Sequence, residues 1–319
     1  MRKIIFTACL LLFTACVLYP PMPCFADESK GAVNWVGGYI SGFGQATATP
    51  SGNKTKDRLK ALRAAEVLAL RSLAETIRGV RIDGDTVVEN MMLRDDIVRA
   101  RVEGIVKGAQ KVRADVVWED NAPLATVEMR ICMTLNAPEC RSGSSLMSIL
   151  PVERKKEPAF VPTKSFIEAP APEKKEVQPV KESPKPEPVK EMPKVKVVSY
   201  DSSKPVTGVV FNLEGQPFER EMLPVVVTTG EDNSYLTVYS AKSVKPNVIR
   251  TYGVVRYSDN LDQAFKNPQL GNNVMTISAI SVTKENMLLI KLEGAKALKE
   301  TTRYGNDYLG DAKVFISAQ

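Results

Sequence analysis

The stretch Asn53–Gly79, NKTKDRLKALRAAEVLALRSLAETIRG, decides how the first half of the chain folds. At 100° per residue, Leu59, Leu62, Ala69, Leu70, Leu73 and Ile77 share one stripe, and Ala61, Ala65 and Leu68 carry it round the back. Lys60, Arg71, Glu75 and Arg78 are left as a narrow polar face, with Arg71 and Glu75 spaced as an i,i+4 pair. Gly79 ends the pattern where a C′ glycine would stop a helix. A helix this apolar needs cover on more than one side, from a sheet and from something else. Glu66 interrupts the stripe. A carboxylate there needs Arg63 or a backbone donor, and a catalytic use would need a second group that the sequence does not supply.

Upstream, Gly38–Thr49 (GYISGFGQATAT) reads as a strand. Its glycines, with Gly37, fit no phosphate loop, because no Gly-Lys-Ser/Thr and no strand–loop–helix context accompanies them. Downstream come a strand over Val80–Val88 with a turn at Asp83-Gly84-Asp85, and a short helix around Asn90–Ala100. Strands over Arg101–Trp118, broken at Gly108, and Ala125–Leu135 follow, joined through Glu119–Pro123. In the last of these, Ala125, Val127, Met129, Ile131, Met133 and Leu135 share one face. Cys132 falls on the other, polar face with Thr126, Glu128, Arg130 and Thr134. One helix on a mainly antiparallel sheet is an α+β domain.

The region then changes character. Glu153–Val197, ERKKEPAFVPTKSFIEAPAPEKKEVQPVKESPKPEPVKEMPKVKV, is almost wholly Pro, Lys, Glu and Val. Repeated prolines favour an extended backbone, and the charges between them deny it an apolar face to bury. At about 3.1 Å per residue, Lys155–Lys194 would reach roughly 120 Å. The expectation is therefore two small α+β domains joined by an extended, disordered Pro/Lys/Glu-rich linker: 27–150, a linker at 151–199, and 200–319. In the second domain, strands are expected over Val206–Leu213, Leu223–Thr228, Tyr235–Ser240 and Arg250–Tyr257. A helical turn at Leu261–Phe265, a hairpin of Val274–Val282 with Met287–Leu292, a helix over Gly294–Arg303 and a strand at Ala312–Ile316 complete it.

Residues 1–26 have the layout of a secretory signal: Arg2 and Lys3, an apolar run from Ile4 to Tyr19, and Cys24-Phe25-Ala26 before Asp27. Cleavage after Ala26 would give a soluble protein. Alternatively, Phe13-Thr14-Ala15-Cys16 would act as a lipobox, with Cys16 lipidated and the chain held at a membrane only in that case. The chain has 43 basic and 37 acidic residues, and loss of Arg2 and Lys3 lowers the net charge from +6 to +4. That is too even a balance for nucleic-acid binding. After cleavage at Ala26, Cys132 and Cys140 are the remaining cysteines. In an oxidising compartment two such near neighbours are expected to form a disulfide.

With no histidine in the chain, imidazole-activated nucleophiles and the commonest metal ligand are excluded. Asp95-Asp96 and Asp83/Asp85 read as solvated charges, and Ser142-Gly143-Ser144-Ser145 as loop. No catalytic residue, cofactor or metal is expected.

Residues 38–135 resemble the small bacterial outer-membrane lipoprotein family. Its members include the antigenic 20-kilodalton lipoprotein of Helicobacter and the flagellar basal-disk lipoprotein FlgP. The likeness is carried by Ala64-Ala65-Glu66, Leu73-Ala74-Glu75, Gly79-Val80 and Gly104-Ile105-Val106-Lys107-Gly108-Ala109. It implies a cell-envelope protein without enzymatic activity, of a kind tied to flagellar or surface assembly. Its partners would be envelope proteins or further copies of itself. The competing expectation is a periplasmic adaptor whose second domain captures peptidoglycan or an envelope protein.

Overall fold

The computed structural model describes residues 31–150, 198–302 and 306–318. The signal segment with Cys16, and the tract 151–197 read as a linker, lie outside the described residues. The chain folds as two α+β units. The first comprises residues 31–80, 87–133 and 137–146; the second comprises 81–86, 134–136 and the described residues from 147 onward.

In the first unit, β1 (Ala32–Asn34), β2 (Tyr39–Thr47), β6 (Ala122–Cys132) and β5 (Gln110–Glu119) form an antiparallel sheet in the order β1-β2-β6-β5. Between β2 and β5 the chain forms α1 (Lys54–Arg78), a small hairpin of β3 (Arg81–Asp83) with β4 (Thr86–Val87), then α2 (Val88–Arg94) and α3 (Asp96–Lys107). Asn53 caps α1, its side chain accepting from the Lys56 amide at 3.0 Å. Gly79 ends the helix without entering the left-handed region: its φ is −78° and its amide bonds back to Thr76 and Ile77. Asp120 and Asn121, with φ of 46° and 65°, make the tight turn that returns β5 into β6.

Helix α1 rests on β2 and β6 along most of the expected stripe: Ala69, Leu73 and Ile77 are buried together with Ala61 and Ala65, and Leu62 and Leu70 are half-buried. Asp57 and Ser72 are buried as well, while Leu59 is 61% exposed and Leu68 also faces solvent. The reason lies across the interface. A methyl group built on Gly42 would stand 2.4 Å from the Ala69 carbonyl oxygen, and one on Gly44 would stand 2.2 Å from that of Ala65. Two glycines on the strand and three alanines on the helix let the two backbones meet. The approach centres the buried face on the alanines and leaves Leu68 in solvent on one flank.

The strand expected from Arg101 starts late. Val98, Val102 and Ile105 are buried at helical spacing, and the Asp95 carboxylate caps α3 by accepting from Ile97 and Val98, so residues 96–107 are helical.

The second unit is a mixed sheet in the order β12-β11-β15-β14-β10-β16-β13. Its strands are β9 (Val198–Ser199, beside β14), β10 (Gly208–Asn212), β11 (Val226–Thr229), β12 (Tyr235–Tyr239), β13 (Arg256–Ser258), β14 (Val274–Val282), β15 (Leu288–Ile290) and β16 (Val314–Ser317). The run β14-β10-β16-β13 is parallel. The central strand β10 is buried at every residue, as a parallel strand covered on both faces must be. Val210 of β10 packs with Ala264, Leu270 and Phe315. The strand expected over Arg250–Tyr257 is mostly helix. Pro246 opens α5 (Pro246–Tyr252), Gly253 at φ 83° closes it, and only Arg256–Ser258 is extended. Leu146–Ile149 is the short α4, and Leu261–Phe265 and Leu292–Thr302 form α6 and α7.

The glycine contacts yield opposite expectations for one chemical change. Gly42→Ala or Gly44→Ala drives a methyl group into helix backbone and should cost about 3 kcal/mol or more, at or above the upper end for overpacking. Gly104→Ala, in the middle of α3 where the methyl meets nothing within 4 Å, should instead add about 0.5–1 kcal/mol. Urea midpoints of the three variants check both signs.

Candidate functional site

The feature of the first unit that calls for a functional account is its edge strand. Among the described residues β5 pairs with β6 along one side only, and nine of its ten residues are exposed. An α-helix is about 10 Å wide and strands lie about 4.8 Å apart, so α1 seated over β2 and β6 leaves β5 beyond its cover. On the helix side of the sheet, the register with Met129, Val127, Ala125 and Pro123 places Lys111, Ala114, Val116 and Trp118 together. Trp118 is 38% exposed, and Lys54 stands 5.6 Å over its ring. The opposite side carries Arg113, Asp115, Val117 and Glu119. Arg113 and Asp115 form an ion pair along the strand, and each side chain remains more than half exposed. Val112 forms a bulge near the N-terminal end, and the rest of the strand is regular.

Glu66 joins this edge. Its Oε2 accepts from Lys111 Nζ at 2.9 Å, and Arg63 approaches at 3.6 Å. The Lys111 hydrogen bond, with the positive charges of Lys111 and Arg63, holds the Glu66 carboxyl below its ordinary range against partial burial. Arg63 was the partner expected from sequence; Lys111, 45 residues away, is the closer one and ties β5 to the flank of α1. The other polar residues singled out from sequence have local duties. Asp96 pairs with Arg99, Asp83 accepts from the Asp85 amide, and the Ser142 hydroxyl accepts from the Ser144 amide. The structure does not bring them into one site.

Cys132 and Cys140 form a disulfide. The expected polar, exposed setting of Cys132 is corrected: both sulfurs are buried, in a cluster with Ala137 and against Tyr39. The chain turns back through β7 (Asn136–Ala137) and β8 (Cys140–Arg141), so the face opposite α1 is covered at its Cys132 end. Further along that face Arg130 stacks on Tyr39, 3.7 Å from the ring centre, and pairs with Glu128 at 2.8 Å.

In the second unit Glu221, a residue that no sequence pattern marks, is 2% exposed. Phe218–Met222 reads FEREM, a charged run that defaults to solvent. Asn286, in the left-handed region at φ 59°, holds it. Its amide donates to the Glu219 carbonyl at 2.7 Å and to Glu221 Oε2 at 3.1 Å, and its oxygen accepts from the Glu219 amide at 3.0 Å. The Tyr257 hydroxyl donates to the Glu221 carbonyl at 2.7 Å and accepts from the Glu221 amide at 3.0 Å. The Met222 and Leu223 amides bond Arg81 and Ile82 of the hairpin, and Arg81 pairs with Glu219. Burial pushes the Glu221 carboxyl up to about 8; Asp83 and Glu219 add to this, while Asn286 and Arg81 oppose it. This arrangement fixes the backbone around Glu219–Leu223. Among the described residues no group of three or more His, Cys, Asp or Glu could hold a metal ion, and no helix is long and apolar enough to cross a membrane.

Because the Glu221 carboxyl titrates near 8 in the fold but near 4.5 unfolded, its neutral form stabilises the second unit fully below about pH 4.5. That contribution falls away as pH rises through 8. Glu221→Gln should therefore flatten the decline in the denaturation midpoint between pH 5 and 8. A wild-type decline that survives the substitution would assign it to other groups.

Residues 208–318, spanning β10 to β16, match the family model described as Treponema pallidum Tp0624, second domain. No curated protein matches the chain.

Proposed function

We propose that this chain is a non-catalytic, exported cell-envelope protein with a structural or assembly role at the outer membrane or in the periplasm. The observation that carries the reading is β5, a ten-residue strand that among the described residues is paired on one side and is largely exposed on both faces. Unpaired strand edges are templates for another chain, and strand addition is a common route by which small sheets dock. The disulfide supports export, because such bridges persist in oxidising compartments, and the N-terminal sequence supports it independently. The likeness of residues 38–135 to the outer-membrane lipoprotein family points the same way and includes flagellum-associated assemblies among the settings. A second reading, an adaptor that captures peptidoglycan or an envelope protein through its second unit, draws on β12. That strand also ends a sheet, with Tyr235 and Leu236 open to solvent.

Fractionation of the expressing cells should recover the protein with the envelope, and intact mass spectrometry should find either Asp27 or a lipidated Cys16 at its start. Recovery in the cytosol with Met1 and the signal segment retained would refute the proposal. In the exported protein, replacing both Cys132 and Cys140 by Ser should lower stability by about 2.5 kcal/mol, the loop-closure value for a separation of 8 residues. Wild type treated with reductant should fall by a similar amount in a chemical denaturation series.

A further inference from the structure

We infer that the partner of β5 is β5 of a second copy of this chain, paired antiparallel about Ala114 so that Arg113 of each copy faces Asp115 of the other. The inference rests on the assembly role proposed above and names its partner.

Three observations lead to a second copy. The first is the order of charges along the strand. Lys111 and Arg113 occupy its N-terminal half, Asp115 and Glu119 its C-terminal half, with Ala114 between Arg113 and Asp115. An antiparallel partner with the same sequence presents its acidic half to this basic half and the reverse. A parallel copy would set like charges abreast. Opposite charges directly across a ladder stabilise the pair, and like charges destabilise it. Arg113 and Asp115 already pair with each other along the strand on the face away from α1. Across the two-fold axis the same four side chains form a square of alternating sign, so neither copy gives up a favourable contact.

The second observation is the small residue at the centre. Ala114 meets its own counterpart on the two-fold axis, where a bulky or charged side chain would clash or repel. The third is apolar surface left at the edge. That axis runs perpendicular to the sheet, so both α1 helices lie on the same side of the doubled sheet. Val116 and Trp118, with the outward Leu59 flank of each helix, then share one face. The pairing would cover residues that the single chain leaves wet. The Val112 bulge is near one end and does not break the ladder from Arg113 to Glu119.

The charges supply the test. The full chain should be a reversible dimer by analytical ultracentrifugation in the micromolar range. Arg113→Glu makes the central charges of both strands acidic, and Asp115→Arg makes them basic. Each variant alone should dissociate roughly tenfold more readily, since two attractive contacts become repulsive. An equimolar mixture of the two should recover wild-type association as a heterodimer, visible by native mass spectrometry. The double variant Arg113→Glu/Asp115→Arg should recover it within one chain. Recovery on mixing also shows that each variant is folded.

A strictly monomeric wild type would overturn the inference, as would single variants that associate like wild type. Failure of the mixture to recover would overturn it too. In the first case, protection of β5 amides from hydrogen exchange in the monomer would show that another segment of this chain covers the edge. Envelope recovery together with charge-insensitive association would leave the broader assembly reading in place and move the contact to another surface.

Discussion

The backbone contact between α1 and β2 sets the geometry of the first unit. Helices usually rest on sheets through a layer of side chains. At Gly42 and Gly44 there is none on the strand, and on the helix the layer is reduced to Ala61, Ala65 and Ala69. Dispersion attraction falls steeply with distance, so close approach of two continuous backbones gains many contacts at once. It also leaves no tolerance, because a single methyl group at either glycine stands well inside contact distance of peptide atoms. The helix is thereby fixed in rotation as well as in height. Its alanines point inward, and its Leu59 and Leu68 sides must find other cover or stay wet.

That constraint explains why the same unit has a closed side and an open one. The helix is centred on β2 and β6, the disulfide-linked turn covers the Cys132 end of the opposite face, and α2 and α3 bury Val88, Met92, Val98, Val102 and Ile105. On β5 only Lys111, bonded to Glu66, and Trp118, under Lys54, meet α1, and most of the strand stays exposed. The second unit treats its central strand in the opposite way, burying β10 completely and spending polar groups internally. Glu219 and Asn286 exchange backbone-directed hydrogen bonds, and Tyr257 closes a reciprocal pair with the backbone of Glu221. A carboxyl held neutral by such a network gives directional contacts without an uncompensated charge, at the expense of stability at higher pH.

Period and punctuation were legible wherever one physical rule acted alone. The long helix, the β14–β15 hairpin and the turn at Asp120-Asn121 follow from apolar spacing, alternation and turn chemistry. The apolar stripe of α1 was legible through Ala61, Ala65, Ala69, Leu73 and Ile77, but Leu59 and Leu68 are exposed, and only the facing glycines reveal that the alanines form its centre. Residues 101–107 and 250–255 misled because Val and Ile suit strands, while a capping Asp95 and an opening Pro246 with Gly253 decided for helix. Cys132 obeyed its alternation, yet the face assigned to solvent is covered by the turn that carries Cys140. Lys111 as the partner of Glu66, and Asn286 as the holder of Glu221, join positions 45 and 65 residues apart. No spacing rule reaches across such distances.

An exposed edge strand is ordinarily a hazard, since any extended chain with unpaired amides can add to it. The charges of β5 narrow that freedom. A strand of unmatched sequence that approaches the ladder must desolvate Arg113, Asp115 and Glu119 without supplying opposite charges, and a parallel copy meets like charges. Only a partner whose basic half meets the acidic half of β5 escapes both costs, and the chain carries that pattern itself. The ion pairs Lys111–Glu66 and Arg113–Asp115 hold these side chains in place beforehand, so less rotamer entropy is lost when the edge is covered. The features that deter indiscriminate pairing are therefore the same ones that make a second copy a matching partner, and specificity at this edge follows from the order of Arg113 and Asp115 about Ala114, not from a pocket.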